Sequence, residues 1–125
     1  MKKLLLLLLL LLNFYGYSQE KKCSDYKIGS FTYSNPLYKN WKVIRTQTEQ
    51  LEIDEENKIK LQALVNWVSD CEYNLTYTKV NDSIENPIIG KKLNVKIIKV
   101  NDNSIICKSS GLGIELEFEM LLKKN

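Results

Sequence analysis

Ile114-Glu115-Leu116-Glu117-Phe118-Glu119-Met120-Leu121-Leu122 is the stretch on which the fold turns. Apolar side chains stand at 114, 116, 118, 120 and 122, with glutamates at 115, 117 and 119. A period of two places neighbouring side chains on opposite faces of an extended strand, one dry and one wet. The same alternation runs through Leu93, Val95 and Ile97, then shifts phase to Ile98 and Val100, which marks a bulge. It recurs in Ile59, Leu61, Ala63, Val65 and Trp67 and continues past a bend at Ser69-Asp70 as Cys71, Tyr73, Leu75 and Tyr77. Leu61, Leu64, Val65 and Val68 also fit a helical spacing, so 58–68 is open to a short helix. Strand is preferred there because the alternating face carries on into 71–77.

Turn signals separate these runs: Asn35-Pro36, Asp54 to Asn57, Asn81-Asp82-Ser83, Asn101-Asp102-Asn103 and Ser110 to Gly113. Asn, Asp and Gly suit such places because they tolerate positive φ or bond their own backbone. The spacing gives about eight strands, near 26–34, 41–48, 49–54, 58–69, 71–79, 92–101, 104–109 and 112–123. Short connections favour an antiparallel up-and-down meander. The expected class is all-β, as a small or incomplete lipocalin-like barrel or a curled sheet.

Met1-Lys2-Lys3 is followed by nine leucines, Leu4 to Leu12, and a polar stretch ending in Gly16-Tyr17-Ser18. A basic start, an apolar centre and small residues at −3 and −1 form a signal peptide, expected over 1–18. A membrane-spanning helix needs about 20 apolar residues. Cleavage after Ser18 takes 18 from 125 residues and leaves 107 beginning at Gln19, one β-rich domain over 19–125. The expected location is outside the cytoplasm, periplasmic or extracellular, with no membrane span after cleavage.

Removing Lys2 and Lys3 leaves 16 of the 18 basic residues against 15 acidic ones. A neutral chain has no electrostatic case for nucleic acid, which is held largely through its phosphates. There is no histidine, the usual general base and the commonest metal ligand. No metal motif, phosphate loop or nucleophile with a supporting base emerges, so neither a catalytic role nor a cofactor is expected. The acidic run Glu52, Asp54, Glu55, Glu56 lacks calcium-loop spacing and reads as a solvated hairpin tip. Asp70 and Glu72 likewise read as solvated charges. Of three cysteines, Cys23 and Cys71 are the first choice for a disulfide, and Cys107 is left as a buried thiol.

The odd positions of Trp41 to Ile53 place Arg45, Gln47 and Glu49 between apolar residues on one face. Facing inward, they form either a structural polar cluster or a ligand site in which Arg45 binds a carboxylate. On a slipped phase they face water. Trp67, Tyr73 and Tyr77 are the candidate core or cavity-lining aromatics beside them.

The order Ile28-Gly29-Ser30-Phe31-Thr32-Tyr33, then Ile44-Arg45-Thr46-Gln47-Thr48-Glu49, then Trp67-Val68-Ser69-Asp70-Cys71-Glu72-Tyr73-Asn74-Leu75 resembles a group of short secreted bacterial proteins. Members of that group often carry the label DNA topoisomerase IV. A type II topoisomerase needs an ATPase domain, a strand-cutting tyrosine domain and magnesium carboxylates over several hundred residues, so the label does not describe this short, neutral chain. The resemblance implies the element order and the Arg-x-Gln-x-Glu grouping and assigns no chemistry. The expected role is a non-enzymatic envelope or secreted interaction module that meets a protein partner. The alternative is a β-barrel for a small apolar or carboxylated ligand, with Arg45 as its polar anchor.

Overall fold

A computed structural model describes residues 20–124. The expected signal peptide, 1–18, lies outside the described residues. Eight strands follow in order: β1 (Gly29–Tyr33), β2 (Trp41–Arg45), β3 (Glu49–Asp54), β4 (Ile59–Ser69), β5 (Glu72–Val80), β6 (Lys92–Val100), β7 (Ser104–Gly111) and β8 (Ile114–Leu122). Each pairs antiparallel with the next, and β8 returns to β1, closing an up-and-down barrel. Closure satisfies the ladder hydrogen bonds that an open sheet would leave at its edges. The segment 58–68 is strand, and the helical alternative fails. The phase shift after Ile97 is a register shift between Ile97 and Lys99 of β6 in its pairing with β7, and the bend near Ser69 is another between Trp67 and Ser69 of β4 against β5.

The turns follow their residue chemistry. Asn81 and Asp82, between β5 and β6, both take positive φ, 50° and 62°. Between β7 and β8, Leu112 at 57° is followed by Gly113 at 74°, a two-residue reversal with both central residues in the left-handed region. The acidic tip after β3 is not uniformly solvated. Asp54 folds back to accept hydrogen bonds from the backbone N–H groups of Glu56 and Asn57 and from the Asn57 side chain. Those bonds, the Asn57 side chain first, hold its carboxyl below the usual range.

One end of the barrel is plugged. The chain enters through a single 3-10 turn, Cys23–Tyr26, where the first strand was expected to begin. Cys23 is bonded to Cys71 in the β4–β5 turn, with the Cα atoms 5.2 Å apart. Tyr26 is fully buried, and its hydroxyl donates to the Asn101 carbonyl at 2.8 Å. Phe31, Val43, Ile105, Cys107 and Met120 pack behind it as the dry core. Burial pushes the Cys107 thiol up to about 12. At the other end burial decays: along the inner face of β8, Met120 is 1% exposed, while Leu116 and Ile114 are 42% and 62% exposed. The barrel is therefore full at the disulfide end and open at the end carrying the β1–β2, β3–β4, β5–β6 and β7–β8 connections.

Candidate functional site

The polar centre of the barrel is built by the β2–β3 hairpin. Arg45 stands opposite Gln50, and Val43 opposite Glu52. Directly opposed residues of an antiparallel pair share a face. The paired numbers sum to 95, so the odd inward positions of β2 become even inward positions on β3. Gln50 and Glu52 therefore face inward. Gln47 and Glu49 do not join Arg45, because Thr46 to Thr48 form the exposed connection and Glu49, at the start of β3, also faces solvent. The expected Arg45-Gln47-Glu49 face assumed one continuous strand, and the hairpin reverses its phase.

Arg45 is 1% exposed. Its Nε donates to Gln50 Oε1, one terminal nitrogen to the Tyr26 carbonyl and the other to the Tyr73 hydroxyl, each at 2.8 Å. The guanidinium also lies over the rings of Phe31 and Tyr73, at 4.8 and 4.5 Å from their centroids. Three acceptors in different directions suit a planar fork, and none is a carboxylate. Arg45 is thus held by the protein itself, behind Gln50, Tyr73 and Met120.

Gln50 stands between that charge and Glu52. Its carbonyl oxygen faces Arg45, so its amide group faces the other way and donates to Glu52 Oε1 at 2.9 Å. Arg45 has no acceptor and Glu52 no donor when ionised, so the amide orientation is fixed by its neighbours. The Tyr77 hydroxyl donates to both Glu52 oxygens at 3.3 Å. Ion pairs among the described residues join Lys27 to Asp70, Lys42 to Glu55 and Lys60 to Asp82; Arg45 and Glu52 belong to none of them. Burial raises the Glu52 carboxyl above the usual range, opposed by its bonds to Gln50 and Tyr77 and by the Arg45 charge. Burial first, then the Glu52 charge, also raises the Tyr77 phenol, which stays a neutral donor.

Above this centre lies a cavity of about 310 Å³. Its floor is Gln50, Tyr73, Val95 and Met120. Leu61, Leu75 and Leu93 line its walls, and Glu52 and Tyr77 bring polar atoms to it. Tyr33, Tyr38, Trp41 and Phe118 surround the opening. The Tyr33 ring meets Tyr38 and Phe118 edge to face, at 5.7 and 5.8 Å between centroids. Tyr38 comes from the short turn Pro36–Tyr38 over the mouth. Of the expected aromatics, Tyr73 and Tyr77 line this cavity. Trp67 sits toward the plugged end, its ring tilted by 49° to that of Tyr73 with 4.6 Å between centroids, and Lys27 Nζ lies over the Trp67 ring at 5.0 Å from its centroid. Among the described residues, its indole nitrogen is the buried side-chain polar atom left without a hydrogen-bond partner.

The raised carboxyl predicts a pH signature. A native state that holds the Glu52 proton more tightly than the unfolded chain gains full benefit below the ordinary glutamate value, about 4.3. That benefit is lost as pH rises through the higher folded value. Urea midpoints from about pH 4 to 8 should show the wild type losing stability relative to Glu52→Gln across this window. A difference independent of pH would contradict a half-buried, poorly compensated Glu52.

Asp70 is tied to Lys27 at 2.8 Å, and the half-buried Glu72 accepts from Asn94. Among the described residues, no helix is long and apolar enough to cross a membrane, and no group of three or more His, Cys, Asp or Glu side chains is placed to hold a metal. No protein-family model, curated protein or solved structure matches the chain.

Proposed function

We propose that this protein is an exported, non-enzymatic barrel that binds a small, largely apolar molecule through its open end. The cavity of about 310 Å³ carries the reading. It is at the lower end of the size range of small-molecule sites and has their usual make-up, apolar and aromatic walls with a few convergent polar groups. Arg45 serves the floor as a structural cation, and the polar groups offered to a ligand are Glu52 and Tyr77. The leader-like 1–18 and the disulfide support an oxidising compartment outside the cytoplasm.

A protein partner is a second reading, favoured by one observation. Leu37, Ile84 and Ile114, on or beside three of the connections around the mouth, are 83%, 72% and 62% exposed. Pairing through an edge strand is the weaker route, because closure leaves no edge.

Native mass spectrometry of the protein from its producer's envelope fraction tests the reading. The expected result is a stoichiometric small-molecule adduct that is lost when the same sample is denatured. A bare chain that also fails to take up small aromatic probes would overturn it.

A further inference from the structure

Glu52 narrows the ligand class. Its carboxylate lies in the wall of an aromatic cavity and receives two neutral donors, Gln50 and Tyr77. An ionised carboxylate offers about four acceptor positions. The nearest cation along its hydrogen-bond chain, Arg45, is separated from it by the whole Gln50 amide. A half-buried charge without a contacting counter-charge still bears part of the cost of desolvation, and a cation in the cavity would offset that cost. The rings at the opening supply the second half of a cation site, since aromatic faces attract ammonium groups within about 6 Å. A ligand carboxylate is disfavoured in the same place, because it would meet Glu52 and find the Arg45 donors turned to Gln50, Tyr26 and Tyr73.

We propose that the cavity binds a small organic cation, an ammonium group carried on an apolar body, with Glu52 as its counter-ion and Tyr33, Trp41 and Phe118 as its aromatic wall. This rests on the reading of the barrel as a ligand-binding protein. Three probes of one shape separate the possibilities: 2-phenylethylamine, the neutral 2-phenylethanol and the anionic 3-phenylpropanoate. Calorimetric titration of the disulfide-bonded protein near neutral pH is expected to rank the amine about tenfold or more above the alcohol, as for a hydrogen bond to a charged group, with the acid weakest. Glu52→Gln keeps the size and the acceptor for Tyr77, and is expected to erase the amine's advantage over the alcohol.

Equal binding of amine and alcohol in the wild type, or tightest binding of the acid, overturns the cation while the binding barrel stands. Failure of all three probes overturns both. The wild-type ranking decides the matter even if Glu52→Gln does not fold. If it does fold, retention of the amine's advantage in that variant also overturns the role of Glu52.

Discussion

Arg45→Ala is expected to lower the unfolding free energy by about 3–5 kcal/mol, the lower part of what three buried acceptors left without a donor would cost. The substitution strands three buried acceptors at once: Gln50 Oε1, the Tyr26 carbonyl and the Tyr73 hydroxyl. Each unsatisfied buried group costs about 1–3 kcal/mol, and the void left against Phe31 and Tyr73 adds to it. A domain of this size has about 5–15 kcal/mol in total, so the variant should be near the limit of folding at 37 °C. Arg45→Lys should recover little, because one ammonium cannot reach three acceptors held in a fork arrangement. Urea unfolding of wild type and variants measures this. A loss under about 1 kcal/mol, accompanied by a large drop in ligand affinity, would return Arg45 to the role of ligand anchor.

Loss of the Cys23–Cys71 bond is the second large effect. The bond spans 48 positions of sequence. By the chain-entropy relation, a closed loop of that length stabilises by about 4 kcal/mol, and measured values usually fall at 2–4 kcal/mol. The bond also holds the turn whose Tyr26 carbonyl receives Arg45 and whose Tyr26 hydroxyl reaches Asn101. Cys23→Ser with Cys71→Ser should therefore lower the urea midpoint by the full amount and cost less in an Arg45→Ala background, since both changes dismantle one plug. Additive losses would place the two outside a common unit. Thiol titration gives an independent check: the native protein should show no reactive thiol, because Cys107 is fully buried with its pKa raised, and denaturation should release one.

These two effects rest on features that differ in how far the sequence announces them. The barrel was legible because most inward positions of its strands are apolar at a period of two, as in Leu93, Val95 and Ile97 or Phe118 and Met120. The bulge at Ile98 and the bend after Trp67 were legible for the same reason, since each interrupts a regular phase. The Cys23–Cys71 pairing, the first choice among three cysteines, is present. The site was less legible because β3 inverts the rule. Gln50, Glu52 and Asp54 face inward while the apolar Leu51 and Ile53 face outward and stay half-buried. Pattern reading assigns the apolar pair to the core and so sends Glu52 to solvent.

The signal that could have corrected it is the Thr46-Gln47-Thr48 connection. A strand that ends at Arg45 and returns at Glu49 must re-derive its inward face from the hairpin register, and 45 opposite 50 makes that face even-numbered. An inverted strand is costly to the core and is expected where a polar site is built. What the sequence could not supply is the degree of filling. The same alternation describes a packed barrel and a hollow one. Here Tyr26 from the chain entry plugs one end, while the decay of burial along β8 leaves the other end open.

The most direct test of the cavity is a methyl-resolved ¹H–¹³C NMR titration of the oxidised protein with 2-phenylethanol and 2-phenylethylamine. The methyl groups of Leu61, Leu75, Leu93 and Val95 line the cavity, whereas those of Ile44, Leu64 and Leu121 lie on the exposed outer wall. A binding barrel predicts saturable shifts at the first set with either probe, the second set remaining in place. Shifts confined to the outer wall, or none with either probe, would contradict it.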